Sequence, residues 1–242
     1  MKSTNLPWEM FLLIGQSNMA GRGPLEAVPA LCHPNVRMFQ NGQWTLAKEP
    51  LHTDKPAIAG IGLGMSFAIA LLDRRPDKII GILPCAVGGT PLHRWIPGAD
   101  LYANAVAVVN EARPSGMLKG ILWHQGEGDS QRAEDAESYG QRLCEMIRSL
   151  RNDLNAPRIP FVAGELGEFL KDYAPGSVFF RMVNAQLGAL CDSMALFGYA
   201  SASGLTDKGD HVHFDSASLR EFGRRYANEY LRITGKQEER VA

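Results

Sequence analysis

Five short apolar runs rich in Ile, Val and Leu, at residues 10–14, 79–83, 118–123, 159–163 and 194–199, alternate with stretches of helical period. That alternation constrains the fold more than any other feature of the chain. Each run is bounded by Gly, Pro or charged residues and is too short for an ordinary helix, so it reads as a strand buried on both faces. The stretches 63–75, 101–113, 133–154 and 178–191, with 216–233 after the last run, carry helical periodicity, and in the second of them Leu101, Ala105, Val108 and Val109 share one face. Parallel strands need a crossover that returns the chain to its starting edge. The expectation is therefore a three-layer α/β/α sandwich around a central, mainly parallel five-stranded sheet.

A length of 242 residues with 45% hydrophobic content suits one domain spanning residues 1–242. Lys and Arg total 25 against 26 for Asp and Glu, so no excess of positive charge is available to bind nucleic acid. Cys32, Cys85, Cys144 and Cys191 form no CxxC pair and read as free, mostly buried thiols. The apolar run at 10–14 is far shorter than a membrane span or a signal core, and the chain as given is expected to be soluble, cytoplasmic and not bound to a membrane, though a longer secreted precursor stays open. Its oligomeric state is not legible. Residues 24–53 have weak periodicity and read as an irregular, functional loop with a short strand near 36–39.

In such a sheet, ligands bind where loops gather at the carboxyl ends of the strands. Four segments there carry chemistry. Gly15, Gln16, Ser17, Asn18 and Met19 follow the first run and place a serine at a sharp turn. Pro84 to Thr90 follows the second and contains Gly88 and Gly89, whose backbone can approach a substrate closely and aim an N–H at it. His124, Gln125, Gly126, Glu127, Gly128 and Asp129 crowd amide, carboxylate and imidazole groups at the end of the third, with Gln125 suited to donate to an oxyanion and Glu127 suited to partner a histidine. In the stretch from Gly209 to Asp215, His213 can serve as a base, and Asp210, three residues upstream, can hold its Nδ1–H. Structural readings compete at each place: a capping serine, a tight glycine turn, a salt-linked loop for Glu127 and Asp129, and a metal held by His211 and His213 if alternate residues of a strand face one way.

Together the four segments resemble the SGNH hydrolases, flavodoxin-like in fold, and within them carbohydrate esterase family 6 and the sialate O-acetylesterase-like group, which includes acetylxylan esterases. The resemblance rests on Gly-Gln-Ser-Asn-Met at 15–19, Gly-Gly-Thr with a nearby Trp at 88–95, Trp-His-Gln-Gly-Glu at 123–127 and Asp-x-x-His-Phe at 210–214. It implies Ser17 as nucleophile, His213 as general base and Asp210 as the orienting acid, with Glu127 as a rival for that last role. It implies an oxyanion hole of the Ser17 and Gly89 N–H groups, with Gly88 as a near alternative and the Gln125 amide as third donor. Gln16, Asn18, Arg94, Trp95 and His124 are the expected substrate-binding residues, Arg94 and Trp95 offering a polar group and a flat aromatic face to a sugar. The implied activity is that of a serine esterase removing O-acetyl groups from carbohydrate, such as acetylated xylan or xylo-oligosaccharide, through an acetyl-serine intermediate and without cofactor or metal; a sialate O-acetylesterase is the alternative substrate reading. Two rivals come from other classes. One is a carbohydrate-binding protein without turnover on the same fold. The other is a nucleotide site at Gly60, Gly62 and Gly64, although that spacing is not GxGxxG and no good buried strand precedes it.

Overall fold

The computed structural model describes residues 8–173 and 176–238. Seven strands form one sheet: β1 (Trp8–Gly15), β2 (Val36–Gln40), β3 (Gln43–Leu46), β4 (Ile80–Pro84), β5 (Gly116–His124), β6 (Phe161–Gly164) and β7 (Phe197–Ala200). Their spatial order is β3-β2-β4-β1-β5-β6-β7, and every pair is parallel except β2 with β3. The five apolar runs correspond to β1, β4, β5, β6 and β7, so the expected count of five falls short by a hairpin. That hairpin turns on Asn41 and Gly42, both at positive φ (50° and 75°), as a two-residue turn matching strand twist requires. Three of the four residues of β3 are exposed, and without a buried face it has no apolar signature to read.

Both faces of the sheet are covered. Along β1, Met10, Leu12 and Ile14 enter one core while Phe11 and Leu13 enter the other, the period-2 alternation of a strand buried on both sides. The first core is closed by α3 (Asp100–Ala112), α4 (Ala133–Glu137), α5 (Tyr139–Asp153) and α6 (Phe180–Ser193), through residues such as Val109, Leu143, Ile147, Val183 and Leu187. The second is closed by α2 (Gly64–Leu72) and α7 (Ser216–Glu238), through Phe67, Leu71, Leu219, Phe222 and Tyr226. The single helical stretch expected over 133–154 is two helices, α4 and α5, parted at Ser138, whose hydroxyl donates to the Glu134 carbonyl at 2.9 Å.

The chain leaves β1 for β2, β3 and β4 on one side and then crosses to β5 on the other. The direction of winding thus reverses at β1, and the crevice at its carboxyl end is where a ligand site belongs.

Helix α7 lies on β6 and β7 and packs directly against the start of α2. At Gly223 a Cβ would stand 2.3 Å from the Leu63 carbonyl oxygen and 2.1 Å from Ser66 Oγ. Gly223→Ala should force the helices apart and lower stability by about 1–3 kcal/mol, the usual range for overpacking. Urea unfolding of wild type and variant checks this through the midpoint.

Candidate active site

Strand β1 ends at Gly15, whose φ of 127° and near contact with β5 exclude a side chain: a Cβ there would lie 2.1 Å from the His124 carbonyl oxygen. The chain then turns into α1 (Ser17–Ala20). Ser17 is its first residue, so its N–H has no intrahelical acceptor. Among the described residues the Ser17 hydroxyl makes no hydrogen bond, although the residue is only 6% exposed.

Asn18 joins this turn to the loop that carries His213. Its Nδ2 donates to the Val212 carbonyl at 2.9 Å and to Glu127 Oε1 at 2.6 Å, while its Oδ1 accepts from the Phe214 N–H at 3.0 Å. The peptide groups on both sides of His213 are thereby tied to the residue next to Ser17. Asn18 is buried with its amide fully engaged, which corrects its expected role: it holds the site together and is not free to bind substrate.

His213 Nδ1 lies 2.7 Å from Asp210 Oδ2. Asp210 Oδ1 accepts the backbone N–H groups of His213 (2.8 Å) and Val212 (3.1 Å), and Lys208 Nζ stands 3.1 Å from Oδ2. Partial burial raises the Asp210 carboxyl, but the hydrogen bonds from His213, Val212 and Lys208 outweigh it and hold the group well below the usual carboxylate range. Asp210, not Glu127, is therefore the acid on the imidazole. Glu127 is buried with its Oε1 on Asn18 and 3.4 Å from His124 Nε2. Burial raises the Glu127 carboxyl too, yet His124 and the Asn18 amide bring it below its ordinary value.

His124 is wholly buried, which removes it from the substrate-binding set. The Tyr226 hydroxyl donates to the Trp123 carbonyl at 2.8 Å, so it can only accept from His124 Nδ1, 3.2 Å away. Nε2, on the other side of the ring, faces the Glu127 carboxylate at 3.4 Å.

Gln125 is also wholly buried. Its Nε2 is 2.6 Å from Asp129 Oδ2, with the Thr90 carbonyl at 3.2 Å and Gln16 Oε1 at 3.3 Å. Two N–H bonds among three acceptors leave nothing for a substrate oxygen, so the expected third oxyanion donor is a structural link between loops. Asp129 serves the same end, accepting the Leu92 N–H at 2.8 Å and pairing with Arg142 at 2.9 Å, which is the salt-linked loop reading. Gln16 Oε1 accepts from Gln125 and, at 3.4 Å, from the Gly128 N–H, and among the described residues its own Nε2 has no acceptor.

In the turn after β4, the Gly88 N–H donates to Asp54 Oδ2 at 2.7 Å. Gly88 is thus removed as an oxyanion donor, leaving Gly89, at φ 77°, with its N–H unengaged among the described residues. Gly88 also admits no side chain, since a Cβ would meet Arg22 Nη2 at 2.5 Å and would sit 3.4 Å from Ser17 Cβ. Arg22 pairs with Asp54 at 2.6 Å and donates to the Gly21 carbonyl at 2.8 Å. This buried pair bridges the turns after β1 and β4. Burial raises the Asp54 carboxyl, and Arg22 and the Gly88 N–H more than reverse it. Beside them His52 is buried and brought down to about 4, chiefly by desolvation, and so is neutral near pH 7. Sequence reasoning missed Arg22, His52, Asp54 and Lys208; the first lies two residues beyond Ala20 of the Ser17 turn, and the next two sit at the end of a stretch without periodicity.

A cavity of about 310 Å³ opens beside His213 and is lined by Arg22, Gly23, Pro24, Leu25, Glu26, Ile58, Ala59, Gly60 and Lys208. A larger one, about 1140 Å³, lies at the opposite end of the strands, around Glu9, Lys119 and Pro160, far from these groups. Trp95 is buried, with its Nε1 on Thr90 Oγ1 at 3.1 Å and its ring edge-on to Trp123, so it is core and not a sugar platform. Arg94 is half-buried and paired with Asp100, and it does not line the cavity beside His213. Gly60 is a packing glycine, its absent Cβ making room for the Gly23 carbonyl 2.2 Å away, and the nucleotide reading loses its loop. The segment from Lys208 to His213 is bends, not a strand, which removes the alternation behind a His211 and His213 metal pair; no group of three metal-ligating side chains occurs among the described residues. The four cysteines are free, but only Cys85 is buried, its thiol pushed up to about 12 by desolvation; Cys144 and Cys191 are half-buried and Cys32 is exposed. No helix among the described residues is long and apolar enough to cross a membrane.

A doubly wound sheet with a serine, a carboxylate-held imidazole and unengaged backbone N–H groups at its switch point holds the kinds of group that a carboxylic ester hydrolase uses. A family model described as carbohydrate esterase, sialic acid-specific acetylesterase matches residues 7–232, and the chain belongs to that family. A probable carbohydrate esterase of Arabidopsis thaliana is 34% identical over 93% of this chain and 91% of its own length. A crystal structure of that plant's protein aligns with TM-score 0.84 at 31% identity over 93% of this chain and 98% of the other. The same fold is shared with NanS (TM-score 0.75, 20% identity, 96% and 99% covered) and with a carbohydrate acetylesterase from Xanthomonas citri (0.72, 21%, 94% and 57%).

Removing the strap should be costly. Asn18→Ala loses both holds on the His213 loop and deprives a buried carboxylate of a donor, so kcat should fall at least about tenfold and stability by about 2–3 kcal/mol. Initial rates and urea titration measure the two separately. Acid should act on the same network. Since Glu127 and Asp210 are held below their unfolded values, the stability they contribute is complete above the ordinary carboxylate range and is lost as pH falls through their lowered values. The urea midpoint should stay level from about pH 7 to 5, decline below about pH 4 and decline less steeply in Glu127→Gln.

Proposed function

We propose that the chain is a serine esterase that removes O-acetyl groups from carbohydrate through an acetyl-serine intermediate. The observation that carries this reading is the Asp210–His213 bond on a loop that Asn18 fastens to the residue beside Ser17. His213, its Nδ1–H directed at Asp210, presents the other nitrogen to take the Ser17 proton as the hydroxyl attacks the acetyl carbonyl. The N–H groups of Ser17 and Gly89 receive the developing oxyanion, and the free Nε2 of Gln16 replaces Gln125 as the side-chain donor. His213 returns the proton to the departing sugar oxygen, and water then cleaves acetyl-serine by the same route.

For the sugar, the family's description favours O-acetylated sialic acid. Acetylated xylan or xylo-oligosaccharide has the motif resemblance behind it. Hydrolysis of p-nitrophenyl acetate should exceed that of the butyrate, persist in chelator and drop by at least about 10³-fold in Ser17→Ala. Acetate release from O-acetylated sialic acid and from acetylated xylan, measured side by side, ranks the two substrates. A Ser17→Ala protein as active as wild type rules the serine mechanism out, and an inactive wild type that still binds acetylated sugar points to the non-catalytic alternative.

A further inference from the structure

We propose that Lys208 sets how far into acid the His213 base keeps working, by sharing one carboxylate oxygen of Asp210 with the imidazole. Asp210 Oδ2 takes His213 Nδ1 at 2.7 Å and Lys208 Nζ at 3.1 Å, while Oδ1 is occupied by two backbone N–H groups. The ammonium is not a loose surface charge. The Lys208 backbone N–H donates to the His213 carbonyl at 2.9 Å, an antiparallel bridge joins Asp207 to Phe214, and Asp207 Oδ2 accepts the Gly209 and His211 N–H groups, so the lysine grows from a closed loop. Its side chain is about two-thirds covered and lines the same cavity as His213.

A carboxylate that already balances one cation stabilises a second less. Lys208 therefore opposes the imidazolium and favours the neutral ring that a base requires. Of the other charges around this pair, most are already matched. From the β1 turn Arg22 is neutralised by Asp54 at 2.6 Å; from the β5 end Glu127 lies behind Asn18 and beside His124; on the loop itself His211 and Asp207 face each other at 3.7 Å; and Glu26, exposed to solvent, lines the same cavity. Lys208 is thus a positioning residue acting through Asp210.

The inference rests on the proposed roles of Ser17 and His213, and its test keeps the two apart. The kcat/KM for p-nitrophenyl acetate is measured against pH for wild type, Lys208→Met, Lys208→Arg and Ser17→Ala. With a pair one-third open to solvent and so partly screened, Lys208→Met should move the acid limb up by about half a pH unit, a loss of about threefold on that limb, and Lys208→Arg should return it to the wild-type position. A Lys208→Met profile that superimposes on wild type, or that drops evenly at every pH, overturns the inference. If Ser17→Ala is inactive while Lys208→Met shows no displacement, only the role of Lys208 fails; if Ser17→Ala is fully active, both fail. Lys208→Gln replaces the Met variant should the latter melt below assay temperature, and is read in the same way.

Discussion

One side chain amide decides whether this protein has a site at all. Ser17 and His213 lie almost two hundred residues apart and on different loops, and no sheet register links those loops. Asn18 does, with donors on Val212 and Glu127 and an acceptor on Phe214. Its three bonds leave the amide one orientation, since reversing it would set N–H against N–H at Phe214 and carbonyl oxygen against both acceptors. Behind it, Glu127 supplies the charge that keeps the amide aimed, and His124 and Tyr226 connect that carboxylate to helix α7 and the core. A buried ionised group without such partners is expensive, so the chain stands or falls as a unit.

The opposite wall is built on the same logic from different groups. Asp54 accepts from both Arg22 and the Gly88 N–H, fixing the glycine turn so that the next amide, Gly89, is the one left without an acceptor among the described residues. Preorganised donors of this kind need no rearrangement when charge develops, which is why backbone N–H groups held by a rigid turn serve an ester carbonyl well.

Much of the layout was legible in the sequence because it follows from period and punctuation. The five buried strands announced themselves as apolar runs, and the four polar segments at their ends contain Ser17, His213, Asp210 and Gly89 in the expected places. The β3 strand is illegible as a strand because an exposed edge strand has no apolar face, although Asn41 followed by Gly42 is a hairpin signal. The roles of Gln125, His124, Trp95, Gly88 and Asn18 were misjudged for one shared reason. Sequence shows which groups gather at a strand end but not which of them face one another, and most polar groups in a crowded loop are needed to satisfy their neighbours. Arg22 and Asp54 were invisible for a related reason, their partnership depending on two loops 32 residues apart.

The burial of Arg22 and Asp54 also limits how this scaffold can change. With side chains only 2% and 5% exposed, either charge stranded without the other would be severely destabilising, so substitutions there must arrive in pairs or not at all. Leu25 and Ile58, by contrast, stand 43% and 55% exposed on the lip of the cavity and support no part of the polar framework. The lip can therefore change one residue at a time, over a floor that stays the same.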